Sequence, residues 1–264
     1  MNRLPEDLDY LRTAIANIAF IGVPGEEAWV LVDTGLMTFG DNIRAAAAER
    51  FGPNRPPRAI LLTHGHFDHV GSLKNLLETW NVPVYAHPLE MPYLNGREDY
   101  PAADPSVGGG LMAAVSPLYP HKGIDVRHFL RELPEDGTIR ELPEWRWIHT
   151  PGHTKGHISL FRESDRIVIA GDAFITVRQE SAWAVLTQEK EVHGPPAYFT
   201  FDWQHAWASV RKIADLNPQA AITGHGHPMF GHELQAGLKR LTEQFDRLAI
   251  PAGEISSGSQ QPVK

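Results

Sequence analysis

Four side chains able to hold a metal ion stand within six residues at one point of the chain, in Thr63-His64-Gly65-His66-Phe67-Asp68-His69. Imidazole nitrogens and carboxylate oxygens are ligands for divalent cations, and Gly65 leaves the turn supple enough to aim several of them at one pocket. Three other segments share this texture, a short apolar strand running into a Gly-containing turn that carries His or Asp. They are Ile148-His149-Thr150-Pro151-Gly152-His153, Ile169-Ala170-Gly171-Asp172 and Ile222-Thr223-Gly224-His225-Gly226-His227. Taken singly, a His or a Gly-Asp after a strand is ordinary surface chemistry. The crowded run is different, because polar groups packed at the end of a buried strand cost free energy unless something compensates, and metal coordination is the usual compensation. Cysteine is absent from the 264 residues, which removes thiolate ligands, disulfides and Cys nucleophiles together. Any metal must be held by nitrogen and oxygen.

The elements that must carry these turns are legible from periodicity. Ala14 to Val23 and Trp29 to Asp33 read as strands joined through the turn Pro24-Gly25. Asp41 to Arg50 reads as a helix ended by Gly52-Pro53, Ala59 to Leu62 as a strand buried on both faces, Gly71 to Trp80 as a helix and Val82 to Ala86 as a strand. The second half resumes with strands at Trp145 to His149, Ile158 to Arg162 and Arg166 to Ala170. Asp202 caps a helix over Trp203 to Leu216, Ala220 to Thr223 is a strand, and Glu233 to Leu248 is an amphipathic helix. Two irregular stretches, 88–133 and 178–200, interrupt the pattern as lids. With no linker between the halves, residues 1–250 form a single α/β domain, a four-layer αββα sandwich of two sheets with helices outside. Residues 251–264 are a flexible C-terminal tail. Open sheets gather functional groups at strand ends, so the four turns are expected to meet at one edge.

Composition narrows the function classes. Net charge is −8 with pI near 5.9, so the basic footprint of a nucleic-acid or anionic-membrane binder is missing. The longest apolar run, Ala14 to Val23, is about half a bilayer span and follows the acidic Glu6, Asp7 and Asp9. The expectation is a cytoplasmic protein acting on a small molecule, with no membrane or nucleic-acid partner. An exposed patch on the lids would suit a homodimer.

The ordered set of motifs, Asp33 in Leu31-Val32-Asp33-Thr34-Gly35, then His64, His66, Asp68 and His69, then His153, Asp172 and His225, resembles the metallo-β-lactamase superfamily from about Ala14 to Leu248. The resemblance implies that His64, His66 and His153 bind one divalent metal ion, that Asp68, His69 and His225 bind a second, and that Asp172 bridges them. It also implies that Asp33 holds ligating imidazoles in place. A bridging Asp is similar to the glyoxalase II and lactonase branches and unlike the members that destroy β-lactams. His227 competes with His225 for the last ligand place, and the first His of Gly-His-Gly matches the family pattern better.

All-N/O ligation suits two Zn²⁺, with Fe²⁺ or Mn²⁺ as alternatives. Two such ions about 3.5 to 4 Å apart would lower the pKa of a shared water toward about 7. The expected chemistry is attack of that hydroxide on an ester, thioester or lactone carbonyl, with Asp68 orienting it and passing a proton to the leaving group. From the lids, Met91, Tyr93, Tyr100, Met112 and Tyr119, with Trp183, Tyr198 and Phe199, are candidates to line an apolar acyl site, and His193, His227 and Lys155 to face its mouth. Tyr93, Trp183, His193 and Tyr198 are the expected substrate contacts. Two other readings stand beside hydrolysis. One is a mononuclear iron persulfide dioxygenase using His64, His153 and Asp172, and the other a metal-binding protein without catalysis.

Overall fold

The computed structural model of the protein describes residues 3–104, 116–177 and 190–251. Met112 and Trp183, and the tail beyond residue 251, lie outside the described residues.

Two sheets face each other. The first runs β1 (Leu8–Thr13), β2 (Ala16–Ile21), β3 (Val30–Val32), β4 (Ala59–Leu61), β5 (Val84–Ala86) and β6 (Leu130–Glu132) in that order. Its first three strands are antiparallel and the rest join in parallel. The second runs β11 (Met229–Phe230), β10 (Ala220–Ile222), β9 (Ile167–Ile169), β8 (Ile158–Arg162) and β7 (Trp145–His149), with only β9 and β10 parallel. Against the first sheet pack α1 (Gly40–Phe51), α2 (Phe67–Val70) and α3 (Leu73–Trp80), and α4 (Met91–Leu94) adds a turn beside them. Against the second pack α5 (Trp203–Asp215), α6 (Gly231–Glu243) and α7 (Phe245–Leu248).

The layers follow from the two-residue repeat of strand side chains. In β2, Ile18 and Phe20 join the helix-side core with Ile43, Phe51, Leu73 and Leu76, while Ala19 and Ile21 join the core between the sheets. In β8, Ile158 and Leu160 face that same middle core, and Phe161 turns outward to meet Val210, Ile213 and Leu234. Strands apolar on both faces are therefore what a four-layer sandwich requires, and β2, β3, β4, β8, β9 and β10 are buried along their whole length.

The structure departs from the sequence reading in four places. Ala14 takes a left-handed φ of 63°, so the chain turns there and Leu8–Thr13 becomes an edge strand paired antiparallel with β2. The helix expected over Gly71 to Trp80 starts two residues later, as α3 at Leu73, and a separate short helix, α2, precedes Gly71 and Ser72. The last helix begins earlier, at Gly231, and breaks at Gln244, whose φ of −131° leaves the helical region. The stretch 88–133 is not wholly irregular: it holds a 3₁₀ turn at Pro88–Glu90, α4, a second 3₁₀ turn at Ser116–Leu118 and β6.

Strand polarity builds the site. β3 and β4 run parallel, so Asp33 and Thr63 emerge at the same edge, where the Asp33 N–H donates to Leu61 O at 2.8 Å. β9 and β10 run parallel in the opposite sheet and deliver Asp172 and His225. The Ile158 N–H donates to Thr63 O at 2.9 Å and the Asn17 N–H to Gly224 O at 2.7 Å, stitching the two sheets together at that edge.

Candidate metal centre

The seven side chains expected to ligate all converge. Ligand atoms of His64, His66 and His153, of His64, His69 and Asp172, and of Asp68, His69 and His225 form three groups, within each of which they lie no more than 4.8 Å apart. All seven residues are buried. Asp172 sits at the centre: its Oδ2 is 3.1 Å from His225 Nε2 and 3.4 Å from His153 Nε2, and its Oδ1 is 3.6 Å from His69 Nε2. Asp68 Oδ2 is 3.5 Å from His225 Nε2. Gly224 makes this approach feasible, because a Cβ there would collide with Asp172 Oδ1.

Neighbouring groups fix which nitrogen of each ring carries the proton. Asp33, held at a left-handed φ of 60°, accepts the Thr63 N–H at 2.8 Å, the Thr63 hydroxyl at 2.7 Å and the His69 Nδ1–H at 2.8 Å. With its hydrogen given to Asp33, the Thr63 hydroxyl accepts from His64 Nδ1 at 3.0 Å. Thr200 donates its hydroxyl to Pro196 O at 2.8 Å and accepts from His153 Nδ1 at 3.1 Å. His225 Nδ1 donates to Ile15 O at 2.8 Å. In its neutral form each of the four rings therefore has its Nε2 lone pair facing inward. His66 turns its Nδ1 to His153 Nε2 at 3.0 Å.

Lone pairs and carboxylate oxygens that face one another in a buried space want positive charge between them. The Nε2 atoms of His64 and His69 and the Oδ1 of Asp172 are buried with no hydrogen-bond partner among the described residues. This donor set fits divalent cations, which would be held by the residues just named. The titration of the groups says the same in protons. Burial, reinforced by the neighbouring imidazoles, holds His64 far below the ordinary imidazole range, and burial takes His66 down to about 3. Burial would depress His69 and His225 as well, but nearby carboxylates together outweigh it and raise both, Asp172 with Asp33 for His69 and Asp172 with Asp68 for His225. Burial would raise Asp172, yet His225 and His69 outweigh it and hold its carboxyl well below the usual range. Asp68, by contrast, is raised by burial.

Beside the His153 loop opens a cleft of about 450 Å³ whose wall includes Leu89, Tyr93, Tyr100, Lys155 and Phe201, with His153 at its inner side. Of the expected substrate contacts among the described residues, Tyr93 lines it and His193 and Tyr198 do not. Tyr198 is buried in the core beside the α5 and α6 helices, and His193 joins Ile175 through the backbone at 2.9 and 3.0 Å without lining the cleft or entering a ligand group. His225 lies in one of the ligand groups, whereas His227 stays outside them and meets the Tyr10 hydroxyl at 3.2 Å.

The sequence pattern of the family described as Metallo-beta-lactamase superfamily matches residues 12–225, the span that carries every one of these groups. The chain belongs to the metallo-β-lactamase superfamily. Within it, the probable metallo-hydrolase YflN of Bacillus subtilis strain 168 is 49% identical over 239 residues, covering 90% of each chain. The probable metallo-hydrolase YybB of the same organism is 32% identical over 210 residues, 79% of this chain and 80% of that one. Among solved structures, TTHA1623 in a di-iron-bound form is 25% identical with a TM-score of 0.57, over 90% of this chain and 98% of its own. The metallo-β-lactamase family protein TTHA1429 from Thermus thermophilus shares the fold at a TM-score of 0.62 and 21% identity, over 92% and 81%.

Two buried groups of this superfamily member were not marked as functional by spacing. His157 Nδ1 donates to Thr150 O at 3.0 Å and its Nε2 accepts the Asp172 N–H at 2.9 Å, so a neutral ring braces the central carboxylate from behind. Burial depresses His157 to about 4. The other is Glu90, a fully buried carboxylate in Pro88-Leu89-Glu90. A lone Glu in an apolar, Pro-flanked segment carries no periodic signal, and only the fold shows where it reaches.

Proposed function

We propose that the protein is a metal-dependent hydrolase that holds two divalent cations and cleaves an ester, thioester or lactone bond of a small molecule. The observation that carries this reading is the set of four imidazoles whose outward nitrogens are all tied to acceptors, leaving their Nε2 lone pairs facing Asp172. When bound, two cations supply a water acidified to near neutrality and polarise a substrate carbonyl.

The remaining work belongs to this chain's own side chains. The cleft takes the apolar part of the substrate against Leu89, Tyr93, Tyr100 and Phe201, with His153 bringing the scissile bond to the centre. Lys155, exposed at the rim, faces any anionic substituent. Asp68, buried and with its carboxyl raised, takes up the proton released on attack and returns it to the leaving oxygen or sulfur. Asp33, Thr63, Thr200 and Ile15 O hold the imidazoles at fixed orientation throughout.

Zinc is the cation we expect, since nitrogen and oxygen donors suit it, with iron or manganese as the alternatives. Elemental analysis of the purified protein, followed by an ester, thioester and lactone panel with and without chelator, tests the reading. About two zinc per chain and chelator-sensitive hydrolysis are expected. One iron per chain with oxygen consumption on a persulfide would replace hydrolysis with dioxygenation, and bound metal without turnover on any substrate would reduce the protein to a metal binder.

A further inference from the structure

Glu90 touches none of the seven candidate ligands, yet it is bonded to both loops that carry His64, His66 and His153. Its Oε1 accepts the Thr154 hydroxyl at 2.8 Å and the Gly156 N–H at 2.9 Å, from the loop that follows His153. Its Oε2 accepts the Gly65 N–H at 3.0 Å, between His64 and His66, and the Tyr100 hydroxyl, which itself accepts from that same N–H at 3.0 Å. The side chain is fully buried. Four donors on two oxygens suit a carboxylate and nothing else of that shape, because an amide offers one accepting oxygen and a donating nitrogen.

We propose that Glu90 is a positioning residue that sets the spacing of the His64-His66 loop and the His153 loop, and so builds one of the two cation positions selectively. Those loops come from opposite sheets, and His66 Nδ1 and His153 Nε2 stand only 3.0 Å apart. His69 and His225 owe their positions to other partners, His69 to Asp33 and His225 to Ile15 O. The clamp also ties the cleft wall to the centre. Tyr100 stacks on Tyr93 with ring centres 4.0 Å apart and meets the His66 ring edge-on at 4.7 Å. A group filling the cleft against Tyr93 thus leans on the same carboxylate that spaces the imidazoles. The inference rests on the proposed two-cation site for its functional meaning, though its hydrogen bonds stand without it.

The test compares the wild-type protein with Glu90→Gln by two measurements that do not involve turnover. The first is backbone amide exchange by NMR at Gly65 and Gly156, whose N–H groups Glu90 accepts; faster exchange at both, without a general increase, is expected. The second is a zinc titration against a chromophoric chelator, with the histidine ring resonances assigning each equivalent. The equivalent that shifts His64, His66 and His153 is expected to bind about 10- to 100-fold more weakly, and the one that shifts His69 and His225 to stay within about threefold. Equal weakening of both, or no change in either, overturns the proposal, as does unchanged exchange at Gly65 and Gly156. If Glu90→Gln fails to fold, Tyr100→Phe and Thr154→Val each remove one donor and must show the same selectivity in smaller degree; an even effect on both equivalents refutes the clamp. A wild-type protein that takes up no zinc, iron or manganese would sink the proposed function, and the amide exchange would then decide the clamp alone.

Discussion

An imidazole can offer a lone pair only from the nitrogen that carries no proton, so each ligating histidine depends on the neighbour at its other nitrogen. Thr200 serves His153 in this way, accepting from Nδ1 while its own hydrogen goes to Pro196 O. Thr200→Val keeps the shape and removes the acceptor, so we expect cation affinity at the His153 position to fall about tenfold or more; Thr200→Ser, which retains the hydroxyl, should recover most of it in the same competition titration. Asp68 poses a different question, since it is both a ligand candidate and the proposed proton carrier. Asp68→Asn keeps an oxygen for a cation but cannot take up a proton. Turnover on the best substrate of the panel should drop about 10²- to 10⁴-fold, measured on samples whose metal content equals that of the wild type. Full turnover in such samples would remove Asp68 from the chemistry.

At the scale of elements, the cleft depends on how α5 begins. Asp202 Oδ1 accepts the His205 N–H at 3.0 Å, and both residues stand in the cleft lining. Asp202→Ala should destabilise the protein by about 1 kcal/mol, as lost N-caps do, read from the urea midpoint at an unchanged slope. The cap was legible in the sequence, and so were the strands that bury both faces, because continuous apolar runs ending in Gly turns leave few other arrangements. Six of the seven converging side chains were legible for the same reason, since they follow the buried strands β4, β9 and β10, while His153 follows β7, which is only partly buried, and was legible from its Gly-containing turn. What escaped was set by long-range contact. Leu8–Thr13 is polar on one side and is a strand only because β2 offers it an edge. Tyr198 and Tyr93 look alike in sequence, yet one packs under α5 and the other walls the cleft. Glu90 and His157 act through backbone N–H groups of distant loops, a kind of contact that leaves no spacing pattern.

For the whole molecule, burying so many ionisable groups at one edge makes stability depend on pH, and His157 offers the cleanest measure because it accepts a backbone N–H and sits behind the cluster. Burial lowers its pKa from an ordinary 6.5 to about 4 in the fold, so between those values the unfolded chain binds the proton and the native protein does not. Stability contributed by this neutral ring is therefore complete above pH 6.5 and is lost as pH falls toward 4. The span of about 2.5 units corresponds to about 3 kcal/mol as an upper figure. His69 and His225 work in the opposite sense: their pKa values are raised by Asp172 together with Asp33 and Asp68, so in metal-free protein their contribution is present at low pH and is lost as pH rises through the folded values. A bare pH profile would mix the two. Subtracting His157→Gln from the wild type, both chelated and both unfolded in urea at steps from about pH 7 to about pH 4, isolates the ring, since the other groups are shared. The wild-type advantage should be largest at about pH 7 and shrink by up to about 3 kcal/mol at about pH 4; an advantage that is flat across this range would mean that the ring titrates alike in the folded and unfolded chain, and one that grows toward low pH that the ring is charged in the native protein, and either result removes the neutral brace behind Asp172.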